Sequence, residues 1–312
     1  RELESGDETR VAGISAEMFV EGDYLIPRLN AEPFLEYPPL YYWCAAGAYA
    51  VFGVNDFAAK LPSALAALGC GLAVFWFARN LRYPPWCALG CCIMLMTGAQ
   101  FFGNSRKCMV DMLLAFFILL AVAAFYALSR ARTWRGKIPF LLLFSAAAAG
   151  GVMTKGLIGL VLPGAVLGSW LLIRDCMEKK FSVFSYLQLG IGVFLALFFV
   201  SFWYLGVYLR GGGEMLHTVL IVNNFGRFSG SQGDHAKPFW FYLEMLPSLF
   251  WPWLPLLPFA FWYAGQRVWR ERNSDLLLLL VFLAVPFVLL SLASGKRVVY
   301  LLPLYAPAAL LC

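Results

Sequence analysis

Residues 107–128 read KCMVDMLLAFFILLAVAAFYAL. From Val110 to Leu128 the only charged side chain is Asp111, close to the start of the run. The hydrocarbon core of a bilayer takes about 20 mostly apolar residues of helix, so this stretch predicts a membrane span with a carboxylate about one turn inside one end. Ionisable groups in a span are expensive and tend to be functional.

The same criterion, carried outward, predicts spans near 60–80, 84–102, 107–128, 138–154, 156–173, 184–208, 239–263, 276–293 and 298–312. Several are short or contain Pro and Gly, which membrane helices tolerate when neighbours satisfy the freed backbone groups. The expected fold class is all-α, a polytopic transmembrane helical bundle, with no soluble domain, coiled coil, low-complexity tract or fixed-period repeat. Composition agrees: 61% of the 312 residues are hydrophobic and 13% charged, whereas soluble domains have about a quarter charged. The net charge of +6 comes from small Lys and Arg groups between apolar runs, without the continuous basic stripe that nucleic acid needs. Cys70, Cys87, Cys91 and Cys92 fall inside apolar runs, and none of the eight cysteines has the paired spacing of a zinc or haem site. The chain opens RELES without an initiator Met and stops at Cys312 within an apolar stretch, as a fragment cut at both ends would.

Basic residues flanking short loops mark the cytoplasmic side. ARNLRYPP, SRARTWRGK, IRDCMEKK and GQRVWRER alternate along the expected topology and are assigned there. The opposite, outer face then holds residues 1–59, GNSRKC, TKG, the loop 209–238 and SGKR, together with all acidic residues except Asp175, Glu178, Glu271 and Asp275. Two regions follow: 1–59 as an outer-face loop with interfacial helices and an acidic motif, and 60–312 as the bundle with its outer loop 209–238. Within the first, RVAGISAEMFVEG sets Ile14 and Met18 against Ser15 and Glu17, as a helix lying in the interface plane would. Tyr41, Tyr42 and Trp43 suit an interfacial aromatic belt.

The outer face carries the candidate chemistry. Asp7 and Glu8 are followed by Arg10; Asp7 could equally be a helix cap. Asp111 is either a site carboxylate or the partner of Arg106 or Lys107, and Lys155 either binds an anion or snorkels to the surface. Lys296 and Arg297 put two cations at an outer helix end, against the positive-inside pattern, and so imply an anion. In the outer loop, His235 is either a solvated histidine or half of an incomplete divalent-ion site with Glu36. Carboxylates for base chemistry, cations for phosphate oxygens and grooves between helices for a tail suit a phosphate-bearing lipid.

DETR (7–10), GDYLIPRLN (22–30), EPFLEYPPLYYW (32–43), SRKCMVDM (105–112), MTKG (153–156), NNFGRFSG (223–230), DHAKPFWFY (234–242) and SGKRVVYLLPLYAP (294–307) together resemble the membrane-embedded GT-C glycosyltransferases. Within them they are similar to the bacterial lipid A aminoarabinose transferases and the related dolichyl-phosphate-mannose protein mannosyltransferases. The resemblance covers essentially the whole chain. It implies that Asp7 is the catalytic carboxylate, with Glu8 beside it and Asp111 as a second outer acid. Arg10, Lys155, Lys296 and Arg297 would face substrate phosphate, and Glu36 with His235 would hold a divalent metal, Zn or Mg/Mn. There are two departures: Tyr37 stands where the aminoarabinose enzymes have Lys in EKPP, and Val11 follows DETR where they have Tyr.

The implied activity is an inverting transfer of an aminoarabinose-like sugar or a hexose from a polyprenyl phosphate donor. The acceptor would be lipid A or another periplasmic group, reached from the periplasmic side of the bacterial inner membrane. A transporter or flippase of lipid-linked sugars is the rival, since it too uses charges in a helical bundle. A transporter commonly has charges near the midplane and two related halves, whereas here the acids gather at one face.

Overall fold

The computed structural model describes Leu3, residues 6–223 and residues 237–312. Its apolar runs form the expected helices. After α1 (Gly6–Glu21), a two-residue hairpin joins β1 (Arg28–Leu29) to β2 (Glu32–Pro33). Then come α2 (Leu40–Phe52), α3 (Asp56–Asn80), α4 (Pro85–Thr97), α5 (Ala99–Asn104), α6 (Val110–Arg130), α7 (Trp134–Lys155), α8 (Ile158–Glu178) and α9 (Val183–His217). Beyond it lie α10 (Phe241–Leu249), α11 (Leu257–Glu271), α12 (Ser274–Leu292), a 3-10 turn over Val298–Leu304 and α13 (Tyr305–Leu311). Local sequence sets several of the starts: Asn55 accepts from the Ala58 N–H, Thr133 from that of Gly136, and Asn273 from those of Asp275 and Leu276.

Among the described residues, six helices are long and apolar enough to cross a membrane: α3, α6, α7, α8, α9 with its π-helical extension to Val222, and α12. The chain is therefore a polytopic membrane protein. Of α6's most apolar window, 78% is buried in the protein, against 22% for α9. The central helix is thus α6, enclosed by α3, α7, α8 and the 298–304 turn, while α9 is peripheral and packs on α7.

Three expected spans are interrupted. The run 84–102 breaks at Gly98 between α4 and α5. The run 239–263 carries Pro247, Pro252, Pro255 and Pro258 and splits into α10, a 3-10 turn and α11. The run 298–312 begins as a 3-10 turn containing Pro303. In each proline-bearing run the missing N–H and the clash with the preceding turn stop a continuous ladder. Conversely, the span expected to end at 208 continues to His217, with its break deferred to Gly212 at φ 71°.

The interfacial readings of the first region need correction. Ile14 and Met18 are buried against protein, and Ser15 is buried with them, its hydroxyl donating to the Val11 carbonyl. Glu17 accepts from the backbone N–H groups of Asn30 and Ala31 at 2.9 and 2.8 Å, holding the hairpin turn. Tyr41 and Tyr42 belong to the core rather than to an aromatic belt. Each stripe was amphipathic, but α2 and the bundle, rather than lipid, cover it.

Two ends of the bundle differ. At one, the basic loops meet: Arg130 pairs with Asp275, Arg272 donates to the Met177 carbonyl, and the Trp170 indole donates to the Ser274 carbonyl at 3.0 Å. At the other lie α1, the start of α6 and the α7–α8 junction. There the backbones of α7 and α8 touch: a Cβ on Gly159 would sit 2.1 Å from the Gly151 carbonyl carbon, and Gly156 turns the chain at φ 80°. Only glycine permits that contact. It fixes Lys155 at the turn.

Candidate active site

The first turn of α1 carries Asp7 and Glu8, where the helix N-terminus favours negative charge. Asp7 is an ion-pair hub. Its Oδ1 accepts from Arg10 on the same helix, and its Oδ2 accepts from Arg297, 290 residues away. Arg10 also approaches Glu36 at 3.9 Å and lies over the Phe34 ring at 5.5 Å. Burial works to lower the Arg297 pKa, but Asp7 outweighs it and holds the guanidinium above its usual range.

The arm that presents Arg297 is stitched to the segment after 236. Lys237 N–H donates to the Ser294 carbonyl at 3.3 Å, and the Tyr242 hydroxyl to the Arg297 carbonyl at 3.2 Å. Lys296, only 4% exposed, donates to the carbonyls of Lys237 and Ala293. Burial lowers its pKa. Lys296 was expected beside phosphate; its ammonium instead fastens two chain segments, and Arg297 is the cation that reaches the acid.

Beneath this layer Asp111 pairs with Lys155 rather than with Arg106 or Lys107, both side chains being under a tenth exposed. The Lys155 ammonium also lies 4.2 Å from the Tyr300 ring centroid and 5.8 Å from that of Tyr37. Tyr37 thus offers its ring face to Lys155. Glu8, 2% exposed, accepts from the Cys108 backbone N–H at 3.1 Å and ties α1 to the segment leading into Asp111.

The structure therefore gathers Asp7, Glu8, Arg10, Glu36, Asp111, Lys155, Lys296 and Arg297 at one end of the bundle. His235 lies outside the described residues, so the expected Glu36–His235 pair has one described member, and Glu36 faces a guanidinium. Among the described residues no three His, Cys, Asp or Glu side chains converge as a metal site. Tyr300 and Tyr37 were missed as partners of Lys155. They are far from Lys155 in sequence, and only the fold brings 37, 155 and 300 together.

Residues 13–209 match the family described as dolichyl-phosphate-mannose-protein mannosyltransferase. An undecaprenyl phosphate-alpha-4-amino-4-deoxy-L-arabinose arabinosyl transferase of Erwinia tasmaniensis is 31% identical over 313 residues, covering 100% of this chain and 55% of the relative. The protein of the same description from Aeromonas hydrophila is 29% identical over 319 residues, with the same coverage. The chain thus spans about half the length of these relatives. Among solved structures, ArnT from Cupriavidus metallidurans bound to undecaprenyl phosphate superposes with a TM-score of 0.87 at 24% identity, covering 100% of this chain and 55% of that one. An apo oligosaccharyltransferase of Archaeoglobus fulgidus gives 0.66 at 12%, covering 99% and 46%. At those identities the likeness is one of fold.

Proposed function

The chain belongs to the dolichyl-phosphate-mannose-protein mannosyltransferase family, and from that premise we propose that it is the membrane part of an inverting glycosyltransferase. It moves an aminoarabinose-like sugar or a hexose from a polyprenyl phosphate to lipid A on the periplasmic side of the bacterial inner membrane. The observation that carries this is the Asp7 carboxylate held between two guanidiniums at the bundle end opposite the basic loops. The names of the relatives supply the polyprenyl phosphate sugar.

In the transfer the acceptor oxygen attacks the anomeric carbon and the bond to the polyprenyl phosphate oxygen breaks. The phosphate, singly charged as a diester, leaves as a monoester with more negative charge. Arg10 and Arg297 are the groups that neutralise this charge as it develops. Each already carries a carboxylate contact, so a bound phosphate takes the place of one carboxylate oxygen and turns Asp7 toward the acceptor. A lipid phosphate acceptor is ionised at neutral pH, and toward it Asp7 orients and steers; toward a hydroxyl acceptor Asp7 is the base. Lys155 and Asp111 form the second tier, with Lys296 holding the arm that bears Arg297. Glu36 and His235 are the pair that would hold a divalent ion, whose contribution would be to polarise phosphate oxygens.

The test uses the full-length protein in vesicles with a polyprenyl phosphate sugar and lipid A, and detects product by mass spectrometry. Asp7→Asn should lower turnover by about 100-fold or more while binding donor. Near wild-type turnover would sink the assignment. For sidedness, in a cysteine-free background, Glu32→Cys should react with an impermeant thiol reagent from the periplasm and Lys180→Cys only after lysis. Both are exposed, at opposite ends. Reversed labelling would put the site in the cytoplasm.

A further inference from the structure

Several buried or half-buried tyrosine hydroxyls of this protein have an acceptor. Tyr41 donates to the Ala59 carbonyl, Tyr49 to that of Ala12, Tyr83 to that of Leu310 and Tyr242 to that of Arg297. Tyr42 differs. Its side chain is fully buried, and its hydroxyl has no hydrogen-bond partner among the described residues. A buried hydroxyl left without a partner costs desolvation free energy that phenylalanine, with the same shape, would not.

The hydroxyls of Tyr186 and Tyr204 are orphaned as well, but both sit on the peripheral α9. Tyr42 sits among the charges. Burial pushes its phenol pKa up, Tyr37 and Glu36 push it further, and Arg10 opposes them, so its hydroxyl lies within the field of the upper tier of the site. Of the residues that act on it, Arg10 pairs with Asp7 and Tyr37 faces Lys155. Among the described residues nothing meets this hydroxyl, and an oxygen of a bound donor would supply the acceptor.

We propose that Tyr42 is a substrate-binding residue whose hydroxyl donates a hydrogen bond to a phosphate or sugar oxygen of the polyprenyl-linked donor, seated against Glu36, Tyr37 and Arg10. The inference rests on the transferase reading and adds to it a specificity contact. Both oxygens are hydrogen-bond acceptors, and a phenol serves either. A phosphate oxygen makes the contact common to every polyprenyl phosphate, whereas a sugar oxygen makes it selective for the sugar.

The experiment is Tyr42→Phe in the full-length protein, with Tyr204→Phe as a control that removes another orphaned hydroxyl. Thermal stability, donor KM and kcat, and affinity for undecaprenyl phosphate without sugar are measured. Tyr42→Phe should leave Tm unchanged or raise it, and should raise donor KM on the order of 10-fold, the factor one net hydrogen bond represents. Tyr204→Phe should leave KM unchanged. Weaker binding of both the donor and the sugar-free lipid assigns the contact to phosphate; weaker binding of the donor alone assigns it to sugar. An unchanged KM overturns the proposal. So does a fall in Tm, since the hydroxyl would then have a partner in the resting protein. If the wild type transfers no sugar but Tyr42→Phe still weakens undecaprenyl phosphate binding, the binding residue stands and the transferase reading falls.

Discussion

Removing the Lys155 ammonium should be the most damaging single change at the site. Lys155 and Asp111 are 8% and 5% exposed, so each charge depends on the other for compensation. Breaking a buried pair from one side costs about 3–5 kcal/mol, because an uncompensated charge remains. The two sides are not equivalent. In Asp111→Asn the lysine keeps the Tyr300 and Tyr37 ring faces, and a desolvated cation–π contact contributes about 2 kcal/mol. In Lys155→Met the Asp111 carboxylate loses its cation, and ring faces repel anions. Lys155→Met should therefore cost about 4–5 kcal/mol and Asp111→Asn about 2–3 kcal/mol. The double variant should return to within about 1 kcal/mol of the parent, since no charge is then stranded. Equilibrium unfolding in mixed micelles, read by tryptophan fluorescence, gives all three numbers and the coupling energy. Equal single costs, or a double variant as unstable as their sum, would refute the reasoning. Turnover of the double variant adds a second reading: a stable but inactive protein would mean that the pair serves the reaction beyond holding α6 to α7.

Three further outcomes are expected. Gly159→Ala should separate α7 from α8 and destabilise by about 1–3 kcal/mol, with a loss of activity that Gly164→Ala, at an open position of α8, does not share; equal effects in thermal melts would remove the contact from the account. Burial raises the Asp23 carboxyl pKa, but the N–H groups of Leu25 and Ile26 and the Arg210 guanidinium together bring it below the usual range. A depressed folded pKa gives stability that is present above the unfolded value near 4 and is lost as pH falls through the folded one, so melts from pH 7 to 3 should fall more steeply for wild type than for Asp23→Asn. Finally, His235→Ala should reduce the divalent metal that copurifies and raise donor KM; equal metal content by elemental analysis would leave His235 as an ordinary loop histidine.

The membrane class and the clustering of acids at one face were legible because both are properties of local runs. Val110 to Leu128 is apolar whatever surrounds it, and Arg130, Arg174 and Arg272 mark their ends without reference to one another. Helix continuity was less legible: the run 239–263 has the hydropathy of a span, but four prolines each remove a backbone donor, and hydropathy does not register that. Pairings were least legible. Asp111 has Arg106 and Lys107 nearby in sequence, yet its partner is 44 positions away, because the α7–α8 glycine contact turns Lys155 into reach. Tyr41 and Tyr42 have the composition of an interfacial belt, and only the packing of α2 against α1 and α3 makes them core.

The Asp7–Arg297 pair also has a place in time. A ribosome adds roughly 5–20 residues per second, so the 290 residues between the partners take about 15–60 s to make. Through that interval Asp7 can pair with Arg10, three positions on and made almost at once. The second guanidinium arrives only when the arm after α12 has been made and fastened by Lys296 and Tyr242. A chain that has not yet reached this arm therefore carries the carboxylate but lacks the second cation opposite it, and the pair closes only after α12 has been made.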